Sequence, residues 1–250
     1  MKIARDFMVR VPLLKYDEKA TRARQVLRDD VYRELYVHDG RRRLMGCVDI
    51  SGVLNVTATR SNVTIEGFIK EVSPVGPDSS IDTVAKTIRE NGTDSIPVVD
   101  EGGQVLGGVL LSEIFPVIIT RHRLGGLVEE YMSRKVVECP ADEPIHRIHT
   151  LITESGFSAF PVVKKKRLVG IISRRDLLRD GRWRVSAEGA SSTPVAGVMT
   201  TPVITVSPGE SVQKAAEMLV RHDISRLPVV LGDELIGIID RHDVLNAIPD

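Results

Sequence analysis

The chain has little of what marks the simplest function classes. Two cysteines occur in 250 residues, Cys47 and Cys139, with no Cys-x-x-Cys pair and no metal-ligand spacing. A disulfide framework and a cysteine-based metal site are thereby excluded, and thiols in a reducing compartment are expected. Aromatic residues make up only 4%, with one tryptophan. No sign of charge dominates: Lys plus Arg number 34 and Asp plus Glu number 34. No bulk positive field draws the chain to nucleic acid or anionic lipid. No apolar run approaches the ~20 residues of a membrane helix. The start, Met1-Lys2-Ile3-Ala4-Arg5-Asp6, is charged too early for a signal peptide. A P-loop, a His-Glu-x-x-His helix, a Gly-x-Ser-x-Gly elbow and a Rossmann glycine fingerprint are all missing. These absences predict a soluble, cytoplasmic protein that is not an enzyme.

What is present is a repeat. Composition is ordinary for a globular chain, 42% hydrophobic and 27% charged, and the length suffices for a real core. Four apolar runs are each broken by a glycine: Leu44-Met45-Gly46-Cys47-Val48, Val105-Leu106-Gly107-Gly108-Val109, Leu168-Val169-Gly170-Ile171-Ile172 and Leu235-Ile236-Gly237-Ile238-Ile239. The marker glycines 46, 107, 170 and 237 lie 61, 63 and 67 residues apart. Met8, Ile69, Met132 and Met199 repeat with the same offsets, and two independent markers in step argue for true internal repetition. A β-branched run precedes each glycine: Ile96-Pro97-Val98-Val99, Phe160-Pro161-Val162-Val163, Leu227-Pro228-Val229-Val230 and, without the proline, Leu35-Tyr36-Val37-His38. The spacing between runs predicts hairpins. Ile81, Val84, Ala85 and Ile88, and Val212, Ala215, Ala216 and Leu219, fall at i, i+3, i+4, i+7 and predict helices before two of the hairpins. Pro77-Asp78-Ser79-Ser80 and Pro208-Gly209-Glu210-Ser211 supply their caps. A short helix after each hairpin, such as Arg174 to Leu178, completes a β-α-β-β-α unit. Longer joins are expected at Pro116 to Gly126 and at Gly181 to Pro194, with Trp183 docking back on the core. The basic runs Lys164-Lys165-Lys166-Arg167 and Arg41-Arg42-Arg43 read as solvated turns. His146 and His149 lie on a helix whose Ile145, Ile148, Leu151 and Ile152 face a core.

These residues resemble the cystathionine-β-synthase (CBS) domain family. The pattern is Met-Thr at the start, an apolar-Pro-Val-Val strand, then Gly-apolar-apolar-Ser/Thr-x-x-Asp. Val198-Met199-Thr200-Thr201-Pro202 and Gly170-Ile171-Ile172-Ser173-Arg174-Arg175-Asp176-Leu177 fit it closely. The resemblance implies an α/β (α+β) fold of four repeats, 1–60, 61–120, 121–185 and 195–250, paired into two Bateman modules of a flat disk. Four repeats in one chain are similar to the regulatory gamma subunit of AMP-activated protein kinase. A homodimer, an effector protein as partner and an adenosyl ligand are implied: AMP, ADP, ATP or S-adenosylmethionine.

The resemblance also places the ligand. Ser173 would stand at a helix N-terminus, where amides and dipole favour a phosphate. Asp176 one turn on would accept vicinal ribose hydroxyls, and Arg174 and Arg175 would add charge. An ordinary capping box explains the same Ser-x-x-Asp spacing. Ser173 and Asp176 would face Thr200, Val203, Ile224, Ser225, Arg226 and Leu227. Asp243 would face Ser133, Val136, Phe157, Ser158, Ala159 and Phe160. In repeat four Asp240 replaces the hydroxyl and would repel a phosphate unless Arg241, His242 or a partner chain compensates; a plain N-cap is the other reading. Repeat two offers Leu110 and Glu113, and repeat one Asp49 and Gly52, so the first half is expected to be structural. The sequence supports three functions: an adenine-nucleotide sensor, an S-adenosylmethionine or methylthioadenosine sensor, and a ligand-free scaffold.

Overall fold

The computed structural model describes residues 2–27, 32–49, 52, 62–155, 157, 159–173, 176 and 193–249. The chain forms two compact units, Met1–Arg123 and Leu124–Asp250.

In the first unit, α1 (Ala4–Phe7) leads to β1 (Leu13–Lys15), α2 (Ala20–Leu27), β2 (Glu34–His38) and β3 (Leu44–Asp49). β1 pairs parallel with β2, and β2 antiparallel with β3. The unit continues with α3 (Ile81–Asn91), β4 (Ser95–Val99), β5 (Val105–Leu110) and α4 (Leu111–Arg121). Val75 bridges Val98 in parallel, in the place β1 takes beside β2. Each half is thus a parallel β-α-β crossover closed by a hairpin. The sequence shows why. Ser80 caps α3 by accepting from the Thr83 N–H at 3.1 Å. Ile81, Val84, Ala85 and Ile88 are its buried face. The helix stops at Gly92, whose φ of 63° is the left-handed conformation that glycine favours.

The second unit repeats the order: α5 (Val128–Tyr131), β6 (Cys139–Pro140), α6 (Ile145–Ser155), β7 (Ala159–Lys164), β8 (Arg167–Ser173), α7 (Val212–Arg221), β9 (Arg226–Leu231), β10 (Glu234–Asp240) and α8 (Arg241–Leu245). Its strands form one sheet in the order β6-β7-β8-β10-β9. Ser211 caps α7 through the Lys214 N–H at 3.2 Å, and Val212, Ala215, Ala216 and Leu219 are buried. Lys165 and Lys166 take positive φ in the turn between β7 and β8, as Arg42 does between β2 and β3. Both basic runs are hairpin turns.

The two marker series meet in space, and they meet crosswise. A Cβ on Gly237 would stand 2.6 Å from Met132 Sδ, and one on Gly107 2.6 Å from Met8 Cγ. Gly170 is covered the same way by Met199, and Gly46 by Ile69 and the Lys70 carbonyl. The residue after each marker makes a reciprocal pair of backbone hydrogen bonds with the residue after each glycine: Val9 with Gly108, Lys70 with Cys47, Ser133 with Ile238 and Thr200 with Ile171. Within each unit, then, the opening segment of one repeat is laid on the hairpin of the other. The glycines recur because a crossing chain needs the room.

One expected boundary is corrected. The join at Pro116 to Gly126 does not begin at Pro116, because α4 runs through that proline to Arg121. Proline removes one N–H from a helix. Here Leu111, Ile114, Phe115, Ile118 and Ile119 bury a continuous face that holds the helix together around the gap. The Gly181 to Pro194 join apart from Thr193 and Pro194, Trp183, and most of the helix expected at Arg174 to Leu178 lie outside the described residues. Both cysteines are free and buried. Burial pushes the Cys47 thiol up to about 11 and the Cys139 thiol up to about 12, so both are poor nucleophiles.

Candidate functional site

The end of the second hairpin strand is the position to follow. Strand register aligns four hairpins there: Glu34 pairs with Asp49, Ser95 with Leu110, Ala159 with Ser173 and Arg226 with Asp240. Each unit therefore has two such corners, one per repeat.

At the corner of repeat three, Asp176 is held from both repeats of its unit. Its Oδ2 accepts the Ser173 N–H at 2.8 Å and the Ser173 hydroxyl at 2.5 Å. Its Oδ1 accepts the Thr200 hydroxyl at 3.0 Å. The Asp176 N–H returns a bond to Ser173 Oγ at 3.3 Å. This is a capping box, so that reading of the Ser-x-x-Asp spacing holds locally. Thr200 adds what a cap does not need: a hydroxyl from the paired repeat on the outer carboxylate oxygen. A carboxylate has about four acceptor sites, and at least three are in use. A vicinal diol arriving here would compete with the Thr200 hydroxyl for Oδ1. Arg174 and Arg175 lie outside the described residues.

Around this corner, Val203 and Ile224 are half-buried, Ser225 is exposed and Leu227 is fully buried in the sheet. Leu227 therefore supports the wall and is not part of its surface. Arg226 is half-buried and stands in register with Asp240.

The corner of repeat four is built differently. Asp240 is the N-cap of α8, its Oδ1 accepting from the His242 N–H at 2.9 Å and the Asp243 N–H at 3.1 Å. Asp243 Oδ2 accepts the Asp240 N–H at 2.9 Å. The amides that would meet a phosphate are thus occupied by a carboxylate of the chain itself. Burial, with the adjacent Asp240 charge adding to it, pushes Asp243 up to about 7. Arg241 bonds beyond its own helix. Its guanidinium donates to the Ile224 carbonyl at 3.4 Å and lies 3.9 Å from Asp223. Facing Asp243 in the expected pocket, Ser133 is exposed and Val136 half-buried. Phe157 is 44% exposed and packs edge-on to the buried Phe160, ring centroids 6.1 Å apart. Ala159 is half-buried, and Ser158 lies outside the described residues.

The corner of repeat one is filled by the chain itself. Asp49 Oδ1 accepts the Gly52 N–H at 2.8 Å, and its Oδ2 is paired with the Lys70 ammonium. Lys70 occupies the place that Thr200 has beside Asp176, since both follow a marker residue. Sequence reasoning missed Lys70 and the buried polar residues Glu34 and Ser95. Among the described residues, no group of three or more His, Cys, Asp or Glu could hold a metal ion, and no helix is long and apolar enough to cross a membrane.

The comparison with known families fits this geometry. The CBS domain profile matches residues 66–119, 128–181 and 195–250, well over half the chain. The chain belongs to the CBS domain family. Residues 1–65 fall outside those matches. The uncharacterized protein MJ1225 of Methanocaldococcus jannaschii is 26% identical over 177 residues, 67% of this chain and 63% of that protein. The CBS domain-containing protein YhcV of Bacillus subtilis is 30% identical over 118 residues, 47% of this chain and 81% of YhcV. The crystal structure of MJ1225 superposes with a TM-score of 0.69 at 20% identity, covering 98% of this chain and 99% of that one. A conserved protein from Pyrococcus horikoshii gives a TM-score of 0.66 at 23% identity, with 98% and 99% covered. The CBS fold of alternating β-α-β-β-α units is shared across both full lengths.

Proposed function

We propose that the chain is a regulatory CBS protein of four repeats, at 1–60, 61–120, 121–185 and 195–250, paired as two Bateman modules. Its ligand is an adenine nucleotide, AMP, ADP or ATP, held between repeats three and four. The observation that carries this reading is the Asp176 carboxylate, gripped by Ser173 from its own repeat and Thr200 from the other. An acceptor shared by two repeats is placed to feel their relative position, so a diol bound there would shift that position and be read by an effector protein. Arg226 supplies positive charge at the register position that Ala159 holds in repeat three. The chain would work in the cytoplasm, as a homodimer.

The repeat-four corner favours a second reading for its own cleft. Asp240 already caps α8, so a ligand there would have to lack phosphates. S-adenosylmethionine or methylthioadenosine meets that condition.

Thermal shift and calorimetry with AMP, ADP, ATP, S-adenosylmethionine and methylthioadenosine test both readings. The nucleotide reading expects a rise in melting temperature with the phosphorylated ligands that Asp176→Ala abolishes. No response to any adenosyl compound would leave a ligand-free scaffold.

A further inference from the structure

The centre of the first unit holds a buried polar chain that joins its two repeats. Tyr36 donates its phenol to Ser95 Oγ at 2.6 Å, and Ser95 donates to Glu34 Oε2 at 3.1 Å. The other carboxylate oxygen, Oε1, accepts the Asp94 N–H at 3.0 Å. Thr93 closes the far side through the Ser95 carbonyl at 2.7 Å. Tyr36 and Glu34 belong to β2 of repeat one, whereas Thr93, Asp94 and Ser95 belong to repeat two. All but Asp94 are buried: Glu34 is 8% exposed, Thr93 8%, Ser95 4% and Tyr36 1%. Burial pushes the Tyr36 phenol far up, so it remains a donor.

Register shows what has been exchanged. Glu34 and Ser95 take the positions of Ala159 and Arg226 in the second unit, and Tyr36 takes that of Pro161. A tyrosine needs room there, and repeat two provides it. A Cβ on Gly108 would lie 3.1 Å from the Tyr36 ring, while the corresponding residue of repeat four is Ile238. The large residue of one repeat is matched by the missing side chain of the other. Buried polar groups are costly unless every member is satisfied, and here the carboxylate accepts on both oxygens.

We propose that the first unit is self-liganded: the Glu34 carboxylate, clasped by Ser95 and the Asp94 amide with Tyr36 behind it, fills the centre between repeats one and two and fixes their arrangement without a nucleotide. The Lys70–Asp49 pair closes one corner in the same manner. The first unit is therefore a constant reference, and response to ligand is confined to the second. Only this last step rests on the nucleotide reading above.

Hydrogen exchange of the full chain tests it. Glu34→Ala removes an acceptor from the Asp94 amide, a bond to a charged group, so that amide should exchange about tenfold faster or more. The loss should spread through residues 34–37 and 93–96 and leave the second unit unchanged. Tyr36→Phe deletes one hydroxyl and keeps the volume, and should loosen the same amides less; it serves if Glu34→Ala does not fold. Unchanged Asp94 exchange in a folded variant overturns the proposal. So does protection of residues 34–37 and 93–96 by saturating AMP in the Asp176→Ala chain. If AMP protects no part of the wild-type chain, the nucleotide reading fails, while the Asp94 measurement still decides the clasp.

Discussion

Thr200 donates its hydroxyl to the Asp176 carboxylate at 3.0 Å, joining the opening segment of repeat four to the end of the repeat-three hairpin. The hydroxyl is in place because Thr200 follows Met199, which lies on Gly170, and exchanges two backbone bonds with Ile171. Fold and candidate site therefore share one contact. Asp176→Ala should weaken an adenine nucleotide by about tenfold or more, since hydrogen bonds to a charged group contribute ~1.5–3 kcal/mol each. Thr200→Val keeps the shape and removes the hydroxyl that competes with a diol for Oδ1, so it should leave nucleotide affinity unchanged or raise it. Calorimetry on both variants checks this, and a clear loss of affinity in Thr200→Val would contradict it.

The crossing contacts predict a stability effect independent of any ligand. Gly237→Val would drive two branches into Met132 Sδ and the Ser133 carbonyl. Overpacking of this kind costs about 1–3 kcal/mol. Gly209→Val is the contrast, because nothing lies within 4 Å of a Cβ there. Denaturant melts should show a clearly lower midpoint for the first and little change for the second.

Much of this was legible in the sequence, and the reason is geometric. The marker glycines and the residues that cover them are both local signals, so their spacing could be read without knowing that they touch. The α3 and α7 faces were legible because their period is that of a helix. What stayed hidden were choices between partners. Ser173 and Asp176 bond to each other as a capping box, and only the fold brings Thr200 to the same carboxylate. Arg241 follows Asp240 in the chain, and only the fold brings its guanidinium to the Ile224 carbonyl. Two sequence features take their meaning only from the fold. Tyr36 stands where three repeats have proline, and Gly107 is doubled by Gly108. Together they mark the buried clasp of the first unit.

Under the proposed function, Arg226 would separate the two ligand classes. Its charge favours an anionic ligand and disfavours the sulfonium of S-adenosylmethionine. Arg226→Ala should lower ATP affinity by about tenfold, a charged hydrogen bond's worth, and leave methylthioadenosine, which has no phosphate, unchanged. Equal losses for both ligands would mean that the residue shapes the cleft and does not read charge.

The repeat-four corner predicts a pH dependence with a definite sign. Asp243 is pushed up to about 7 from an ordinary value of 3.8 by burial, and then by Asp240 beside it. Between those values the folded chain keeps a proton that the unfolded chain has released. Stability must then fall as pH rises from about 4 to about 7, and this contribution levels off above that. Asp243→Asn is neutral in both states and can still accept the Asp240 N–H through its amide oxygen. The variant should lose this downward slope and gain on the wild type most at neutral pH. Urea midpoints for both proteins at pH 4.5, 6 and 7.5 (roughly the edges and middle of that window) measure the difference. A constant gap across the three would show that Asp243 keeps its ordinary ionisation, and the carboxylate pair at the head of α8 would then be an ordinary cap held open by solvent.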